Sequence, residues 1–164
     1  MKTCYALAAM VMLSISTFAT AEEIQHKPTG LKFSVPKGWT CTQTGDEINI
    51  VNADKTVSLA GGVVPKEATQ IIFADTKKFL NSLGTLSEVE ITEGPEKETA
   101  NELEQSWYSG TAKIKKDDGT QEEIEWDLVV VSGGKDNLFL VGIGKLDDNE
   151  ETYEEFFTSF EKAE

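Results

Sequence analysis

Arginine is absent from this 164-residue chain, and all 15 of its basic residues are lysines. The planar guanidinium group is the usual device for holding phosphates and base edges at two points, so its absence argues against nucleic acid as a partner. Acidic residues number 29, which gives a formal net charge of -14. Such a charge is repelled by the anionic surface of a bilayer and favours solubility. We therefore expect no nucleic acid partner and no peripheral membrane binding.

Histidine and cysteine, the commonest residues of nucleophilic and zinc sites, are also scarce. His26 is the only histidine, and the two cysteines are Cys4 and Cys41. A catalytic triad needs an oriented base, and structural zinc needs several Cys or His ligands. We expect no catalytic residues and no cofactor. His26 lies near the predicted mature terminus, where poor order is usual, and Cys41 is expected to be a small buried residue; their pairing is the remaining alternative.

The longest apolar run is shorter than the roughly 20 residues that span a bilayer. It extends from Tyr5 to Phe18, after Lys2 and before the Ala-Thr-Ala tripeptide at 19–21, which is the small-x-small pattern read by signal peptidase. This pattern predicts that residues 1–21 are a cleaved signal peptide and that the protein is released into the periplasm or the medium. Cys4 precedes the apolar run, so no lipid anchor is predicted.

Residues 22–164 are predicted to form a single domain. Removing 21 residues from 164 leaves 143, and the loss of Lys2 changes the charge to 14 minus 29, or -15. The one remaining cysteine cannot form an intramolecular disulfide, so stability must come from packing. No internal repeat or low-complexity linker divides the sequence past about Lys27.

The first half of this domain alternates in the manner of strands and then becomes helical. "LKFSVP" at 31–36 predicts a half-buried strand, and the following Lys37-Gly38-Trp39 predicts a corner that buries an indole. Val57–Val64 has small or apolar residues in both alternating sets and predicts a strand covered on both faces. From Lys66 to Leu83 the pattern predicts one amphipathic helix with a buried stripe of Ala68, Ile71, Ile72, Phe79 and Leu83.

Two features of this half invite functional interpretations. The Gly61-Gly62 pair lacks the Gly-Lys-Ser/Thr continuation of a phosphate-binding loop, so close packing or a bulge is the preferred explanation. Asp75 falls on the apolar stripe of the predicted helix. We interpret it as flanking the core or capping a neighbouring loop, in preference to acting as a catalytic acid.

The second half predicts an antiparallel meander and a closing helix. Its strands are a short one around Val89 and Ile91 that ends at Gly94-Pro95, then Leu103–Lys115, Glu122–Ser132 and Leu138–Lys145, the last at the sheet centre. Asp147 and Glu150 have the spacing of a capping box at the start of the closing helix. Its apolar stripe is predicted to dock on the sheet and consists of Tyr153, Phe156, Phe157 and Phe160.

The strand-Pro-Lys-Gly-Trp entry, the amphipathic helix, Ser-Gly-Thr at 109–111 and the final "FFTSF" at 156–160 resemble the PsbP-like superfamily over roughly residues 28–161. That superfamily includes the photosystem II extrinsic protein PsbP, periplasmic DcrB-like proteins and a Ran-binding import factor. The resemblance implies an α+β fold, with a three-layer α/β/α sandwich around a predominantly antiparallel sheet. It implies no shared active site, because those members are binding, assembly or accessory proteins.

The leading functional hypothesis is an exported, soluble, non-catalytic binding or accessory protein whose partner is another envelope protein with a basic face. Trp107, Tyr108 and the acids within Glu122–Asp127 are the predicted contact region. Two alternatives stay open. One is an acid-dependent hydrolase, because a glycosidase needs only two suitably spaced carboxylates. The other is a weak calcium- or magnesium-binding module, with Asp117-Asp118 or the acidic segment 147–151 as the possible site.

Overall fold

A computed structural model describes residues 21–116, 118–133 and 135–163. Within these ranges the chain forms ten strands and three α-helices. The helices are α1 (Lys66–Ala74), α2 (Thr76–Ser82) and α3 (Glu150–Thr158), and a 3-10 turn precedes α3 at Asp147–Asn149. The strands are β1 (Glu22–His26), β2 (Leu31–Val35), β3 (Thr40–Thr44), β4 (Glu47–Val51), β5 (Val57–Val64), β6 (Leu86–Ala100), β7 (Leu103–Lys115), β8 (Gln121–Ser132), β9 (Asn137–Gly144) and β10 (Glu161–Lys162).

Seven strands form the main sheet in the order β3-β4-β5-β9-β8-β7-β6, and each neighbouring pair is antiparallel. The predicted meander of β6, β7, β8 and β9 is confirmed, as is the central position of β9. A smaller antiparallel sheet has the order β1-β2-β10. The α+β class with a predominantly antiparallel sheet is therefore confirmed.

The main sheet carries a separate hydrophobic cluster on each face, as the alternation along β8 shows. Trp126, Leu128 and Val130 belong to one cluster, together with Ile72 of α1 and Leu80 of α2. The intervening Val129 and Val131 belong to the other cluster, which contains residues of β2 and α3. The layer on the α3 side is thus partly built from the small sheet and is not purely helical.

The α3 side is closed by a group of phenylalanine rings at one end of the main sheet. The ring of Phe33, from β2, lies 4.9 Å from Phe160 and 5.6 Å from Phe156 between ring centres. Phe156 in turn contacts Phe157 at 5.0 Å. Edge-to-face and offset aromatic contacts of this kind add to the free energy gained by burying the rings. The predicted docking of the closing helix through its aromatic stripe is confirmed.

The predicted helix over 66–83 is wrong in its continuity. Asp75 has φ -145° and ψ 66°, which ends α1, and its side chain accepts a hydrogen bond from the backbone N–H of Lys78 at the start of α2. The break changes the phase of the buried face. Leu80 is buried, whereas Ile71 is 74% exposed and Leu83 is 42% exposed. Asp75 is the N-cap of α2, a role that neither sequence interpretation named.

Strand β5 is covered less completely than its composition predicted. Val57 and Leu59 are buried, but Ala60 on the opposite face is exposed. Gly61 allows β5 and β9 to pair closely, because a Cβ at this position would lie 1.9 Å from the backbone oxygen of Phe139 in β9. Close approach of two strands, and not phosphate binding, explains this glycine.

Two strands differ from the sequence interpretation, and one corner agrees with it. Strand β1 was not predicted, and Glu22–His26 pairs along its whole length with β2. Strand β6 does not end at Gly94-Pro95 but continues through it, with register shifts against β7 on either side of Glu93. The corner at 36–39 is confirmed: Gly38 has φ +82°, the N–H of Trp39 donates to the Pro36 oxygen, and the indole is buried.

Candidate functional site

A groove of about 530 Å³ lies between α3 and the face of the main sheet formed by β6, β7 and β8. Its lining includes four aromatic residues and seven acids. The aromatic residues are Trp107, Trp126, Tyr153 and Phe157, and the acids are Glu93, Glu98, Glu125, Asp127, Asp147, Glu150 and Glu154. We call this feature the acidic groove.

Side-chain hydrogen bonds connect the sheet to the 3-10 turn that precedes α3 and to the last turn of α3. At the start, the Glu125 carboxylate on β8 accepts from the backbone N–H groups of Leu146 (2.7 Å) and Asp147 (3.1 Å). At the end, the Gln105 side chain donates to the Phe157 oxygen at 2.7 Å. The predicted capping box is wrong, because neither Asp147 nor Asn149 caps with its side chain. Glu125 on β8 accepts instead from the first N–H groups of the 3-10 turn that precedes α3.

Asp127 forms the floor of the acidic groove. It stands on β8 directly opposite Ser109 of β7 and Gly142 of β9. Burial raises the pKa of the Asp127 carboxyl above its ordinary value, and the negative charges of Asp147 and Glu125 raise it further, while the neighbouring Ser109 and Tyr153 hydroxyls oppose the shift. The hydroxyls of Ser109 and Tyr153 therefore offset only part of the cost of burying a negative charge at this position.

Tyr153 reaches down from α3 to the same floor. Its hydroxyl lies against the backbone of β9, since a Cβ at Gly142 would be 2.2 Å from the phenol oxygen. The side chain is buried, and desolvation together with the nearby Asp127 raises the pKa of the phenol well above its ordinary value. The hydroxyl is thus protonated, and its neighbouring acceptor is the Asp127 carboxylate, although the contact falls outside ordinary hydrogen-bond geometry.

The acidic groove contains no positive side chain among its lining residues. Six ion pairs occur within the described ranges, and their acids are Glu23, Glu88, Glu90, Glu104, Glu122 and Glu161. None of these is an acid of the groove. The lysines thus neutralise carboxylates elsewhere and leave the groove with concentrated negative charge.

The predicted contact region is brought together only in part. Trp107 is half-buried in the acidic groove, on the same face as Glu125 and Asp127. Tyr108 lies on the opposite face, where its ring centre is 5.5 Å from that of Phe73. Adjacent residues of a strand point to opposite faces, so the two aromatics cannot form one surface. Sequence reasoning missed Tyr153 as a site residue, because its helical stripe indicated only core packing.

The residues suggested for thiol chemistry do not form a reactive pair. His26 is fully buried, with Nδ1 2.8 Å from the Thr29 hydroxyl, so the expectation of poor order there is wrong. Burial lowers its pKa, an effect opposed by Asp46. Burial and the charge of Glu22 raise the pKa of the half-buried Cys41 thiol to about 12. Such a thiol is protonated at neutral pH and is a poor nucleophile.

One of the two suggested cation sites has a local structural role at the residue that is described. Asp118 accepts hydrogen bonds from the backbone and hydroxyl of Thr120 in the β7–β8 turn, while Asp117 lies outside the described residues. Throughout 21–116, 118–133 and 135–163, no three His, Cys, Asp or Glu side chains are placed to hold a metal ion. In the same ranges no helix is both long and apolar enough to cross a membrane.

A second hollow, of about 840 Å³, lies on the other face of the main sheet. It is lined largely by β4, β5 and β9 and by the partly exposed Leu83. Phe139, Val141 and Ile143 give it an apolar character, and its acids are Asp46 and Glu47. It lacks the convergent charged and aromatic groups of the acidic groove.

Comparison by sequence finds no relatives: no protein-family model matches the chain, and no curated protein matches it. Comparison by structure finds proteins of similar fold. Cyanobacterial PsbP (CyanoP) from Synechocystis sp. PCC 6803 has a TM-score of 0.56 at 14% identity, covering 97% of this chain and 96% of that one. The Ran-binding protein Mog1p of Saccharomyces cerevisiae has a TM-score of 0.53 at 9% identity, covering 90% and 97%.

A protein of Bacteroides thetaiotaomicron VPI-5482 is also similar, with a TM-score of 0.53 at 10% identity over 89% of this chain. The chain spans only 49% of that protein's length. Identities this low establish a shared fold and leave function to be argued from the site. The resemblance first indicated by the sequence is confirmed at that level: this chain has the PsbP-like fold.

Proposed function

We propose that residues 22–164 act as an exported, non-catalytic binding or accessory protein in the periplasm or medium, after cleavage of residues 1–21. The partner is another envelope protein, and its basic face docks on the acidic groove. The observation that carries this proposal is the concentration of seven carboxylates around Trp107 without one lysine among them.

Charge complementarity is the physical basis of the proposed contact. Opposed charges across an interface speed encounter and select against wrongly charged partners. Trp107 adds a half-buried aromatic face, which attracts cationic side chains when they lie above the ring. The acids at the rim, such as Glu98 and Glu154, are exposed and would contribute mainly through encounter rate.

The fold gives this proposal modest support of a different kind. One protein of similar structure is described as Ran-binding, so the fold can carry a protein-binding surface. We further propose that the chain is a single domain with three layers, in which α1 and α2 cover one face of the main sheet and α3 with β2 covers the other. The two hydrophobic clusters support that arrangement.

An acid-dependent hydrolase is the second candidate, because Asp127 has the raised pKa of a general acid and lies in an open groove. Such an enzyme needs a second carboxylate free to act as base or nucleophile. Glu125, the nearest acid along β8, already accepts two backbone N–H groups. This engagement favours binding over hydrolysis.

Site-specific photo-crosslinking in intact cells tests the proposed function. A photoreactive residue in place of Glu98, at the rim of the acidic groove, is compared with one in place of Ala60, which is exposed on the other face of the sheet. We expect an adduct from position 98 alone, attached to a lysine- or arginine-rich surface of an envelope protein. Adducts of equal yield from both positions, or attachment to an acidic surface, would exclude the groove as the docking site.

Export is tested separately by N-terminal sequencing and intact mass. Material from the periplasm or medium should begin at Glu22, directly after the Ala-Thr-Ala tripeptide. Membrane-bound material that keeps Met1 would contradict the predicted processing.

A further inference from the structure

Three oxygen-bearing side chains converge at the floor of the acidic groove. Ser109 and Asp127 are directly paired across β7 and β8, so their side chains lie on the same face. Tyr153 approaches from α3, with its hydroxyl above Gly142, which is the partner of Asp127 on β9. Each of the three residues lines the groove. We call them the floor triad.

The Tyr153 hydroxyl is the first sign that the floor triad lacks a ligand. Tyr153 is only 7% exposed, and its hydroxyl has no hydrogen-bond partner of ordinary geometry within the part of the chain that the structure describes. Buried polar groups are nearly always paired, because leaving one unpaired costs about 1–3 kcal/mol. The neighbouring Asp127 carboxylate interacts with the hydroxyl, but without ordinary hydrogen-bond geometry, so a polar group that contacts both would complete their hydrogen bonding.

The charge at Asp127 is the second and independent sign. Its carboxylate is half-buried, and Glu125 and Asp147 place further negative charge near it. No lysine lines the groove to offset this charge. An anionic ligand would be repelled, and a neutral one would leave the charge uncompensated in a less polar surrounding. The floor therefore favours a cation.

We propose that the floor triad of Ser109, Asp127 and Tyr153 seats the primary ammonium of a lysine side chain presented by the protein partner. This inference rests on the proposed function and gives its recognition chemistry. An ammonium is a compact charge with three donors, which suits three oxygens from separate side chains. Guanidinium is better matched to the two oxygens of one carboxylate. The Trp107 ring provides an apolar wall for the methylene stem.

The surroundings of the floor triad favour a lysine within a polypeptide over a free amine. The exposed acids Glu93, Glu98, Glu150 and Glu154 continue along the rim of the groove, away from the floor. A peptide with several lysines could place one in the floor and the others near these carboxylates. A partner segment of that kind would gain from every rim charge as well as from the seated ammonium.

Calorimetric titration with acetyl-tetralysine-amide at low salt tests the inference. The same peptide with all four amines acetylated, tetraarginine and spermidine serve as competing ligands. Asp127→Asn is compared with Glu154→Gln, which removes the same formal charge from the exposed rim. We expect Asp127→Asn to weaken tetralysine binding at least about ten-fold and Glu154→Gln to weaken it no more than about three-fold.

Tyr153→Phe keeps the ring and removes only the unpaired hydroxyl, so it should remain folded and weaken binding a few-fold. A thermal melt of each variant verifies that it is folded.

Equal weakening by Asp127→Asn and Glu154→Gln would overturn the binding of an ammonium at the floor triad. The proposed function would then depend on the overall negative charge of the groove. Tighter binding of tetraarginine or spermidine than of tetralysine would overturn the assignment to lysine. If tetralysine does not bind the unaltered protein at all, the inference and the acidic groove as a docking site both fail.

Discussion

The two ends of the α3 face of the main sheet differ although they share a strand and a helix. At one end Val129 and Val131 of β8 lie beneath the aromatic cluster that includes Phe33 and Phe156. At the other end Asp127 lies in an open groove beside the phenol of Tyr153, whose ring packs on Phe157. The first end contributes stability through burial, whereas the second holds a charge in a place that disfavours it. The difference indicates that the packed end stabilises the fold, whereas the groove end serves function.

The largest effect is expected from truncation in the aromatic cluster. Phe156 is 1% exposed and contacts three other phenylalanine rings. Phe156→Ala should lower the free energy of unfolding by about 3–5 kcal/mol, since it removes buried area and leaves a cavity. Chemical denaturation measures this loss. A cost below about 1 kcal/mol would mean that the packed end does not secure the fold.

Overpacking beside Tyr153 should have the next largest effect. Gly142→Ala places a methyl group 2.2 Å from the phenol oxygen, so we expect a loss of about 1–3 kcal/mol in the free energy of unfolding. The double variant with Tyr153→Phe serves as the control. Removing the hydroxyl should recover part of the loss, giving a non-additive cycle. Strict additivity would show that the hydroxyl does not lie against Gly142.

Removing the negative charge of Asp127 should have the opposite effect on the free energy of unfolding. Because burial raises the pKa of the Asp127 carboxyl, its ionised form opposes folding at neutral pH. Asp127→Asn should therefore raise the free energy of unfolding by about 0.5–2 kcal/mol, the range of single stabilising substitutions. The exposed Glu154→Gln should change it little. A destabilised Asp127→Asn protein would assign that carboxylate a structural role and remove the contrast between the two ends.

The pH dependence of stability should show a smaller effect, which has opposite directions for His26 and for Asp127 in the groove. Burial lowers the pKa of His26 below 6.5, so the unfolded chain takes up a proton first as the pH falls. The contribution of neutral His26 to the free energy of unfolding is therefore lost as the pH falls through about 6.5. Between pH 7 and 6 this loss is at most about 0.7 kcal/mol. Asp127 acts in the other direction at lower pH, because its raised pKa makes the folded state take up a proton before the unfolded chain does.

Denaturation curves across this range test that contrast. His26→Gln should flatten the loss between pH 7 and 6. The stabilisation by Asp127→Asn should shrink as the pH falls from the folded-state pKa towards the ordinary value of 3.8. An unchanged slope in the His26→Gln protein would show that His26 does not titrate differently on folding.

Sequence patterns predicted the packed end far better than the groove. Strand alternation in β8 and the stripe of Phe156, Phe157 and Phe160 follow directly from period-2 and period-3.6 spacing. The hydrogen bonds of Glu125 to the turn before α3 could not be predicted in this way, because Glu125 lies on a strand 21 residues earlier in the chain than Leu146. The role of Tyr153 could not be predicted either, because it depends on a residue that is distant in the sequence. Its position on an apolar stripe is local, whereas the carboxylate beside it comes from β8.

Chemical-shift mapping of the ¹⁵N-labelled protein with acetyl-tetralysine-amide tests the central claim, that the acidic groove is where basic partners bind. The account predicts that the largest changes fall on Ser109, Asp127, Tyr153 and the indole N–H of Trp107, and that they are absent with the fully acetylated peptide. Changes spread over acids outside the groove, such as Glu90 and Glu161, in proportion to their exposure would contradict it.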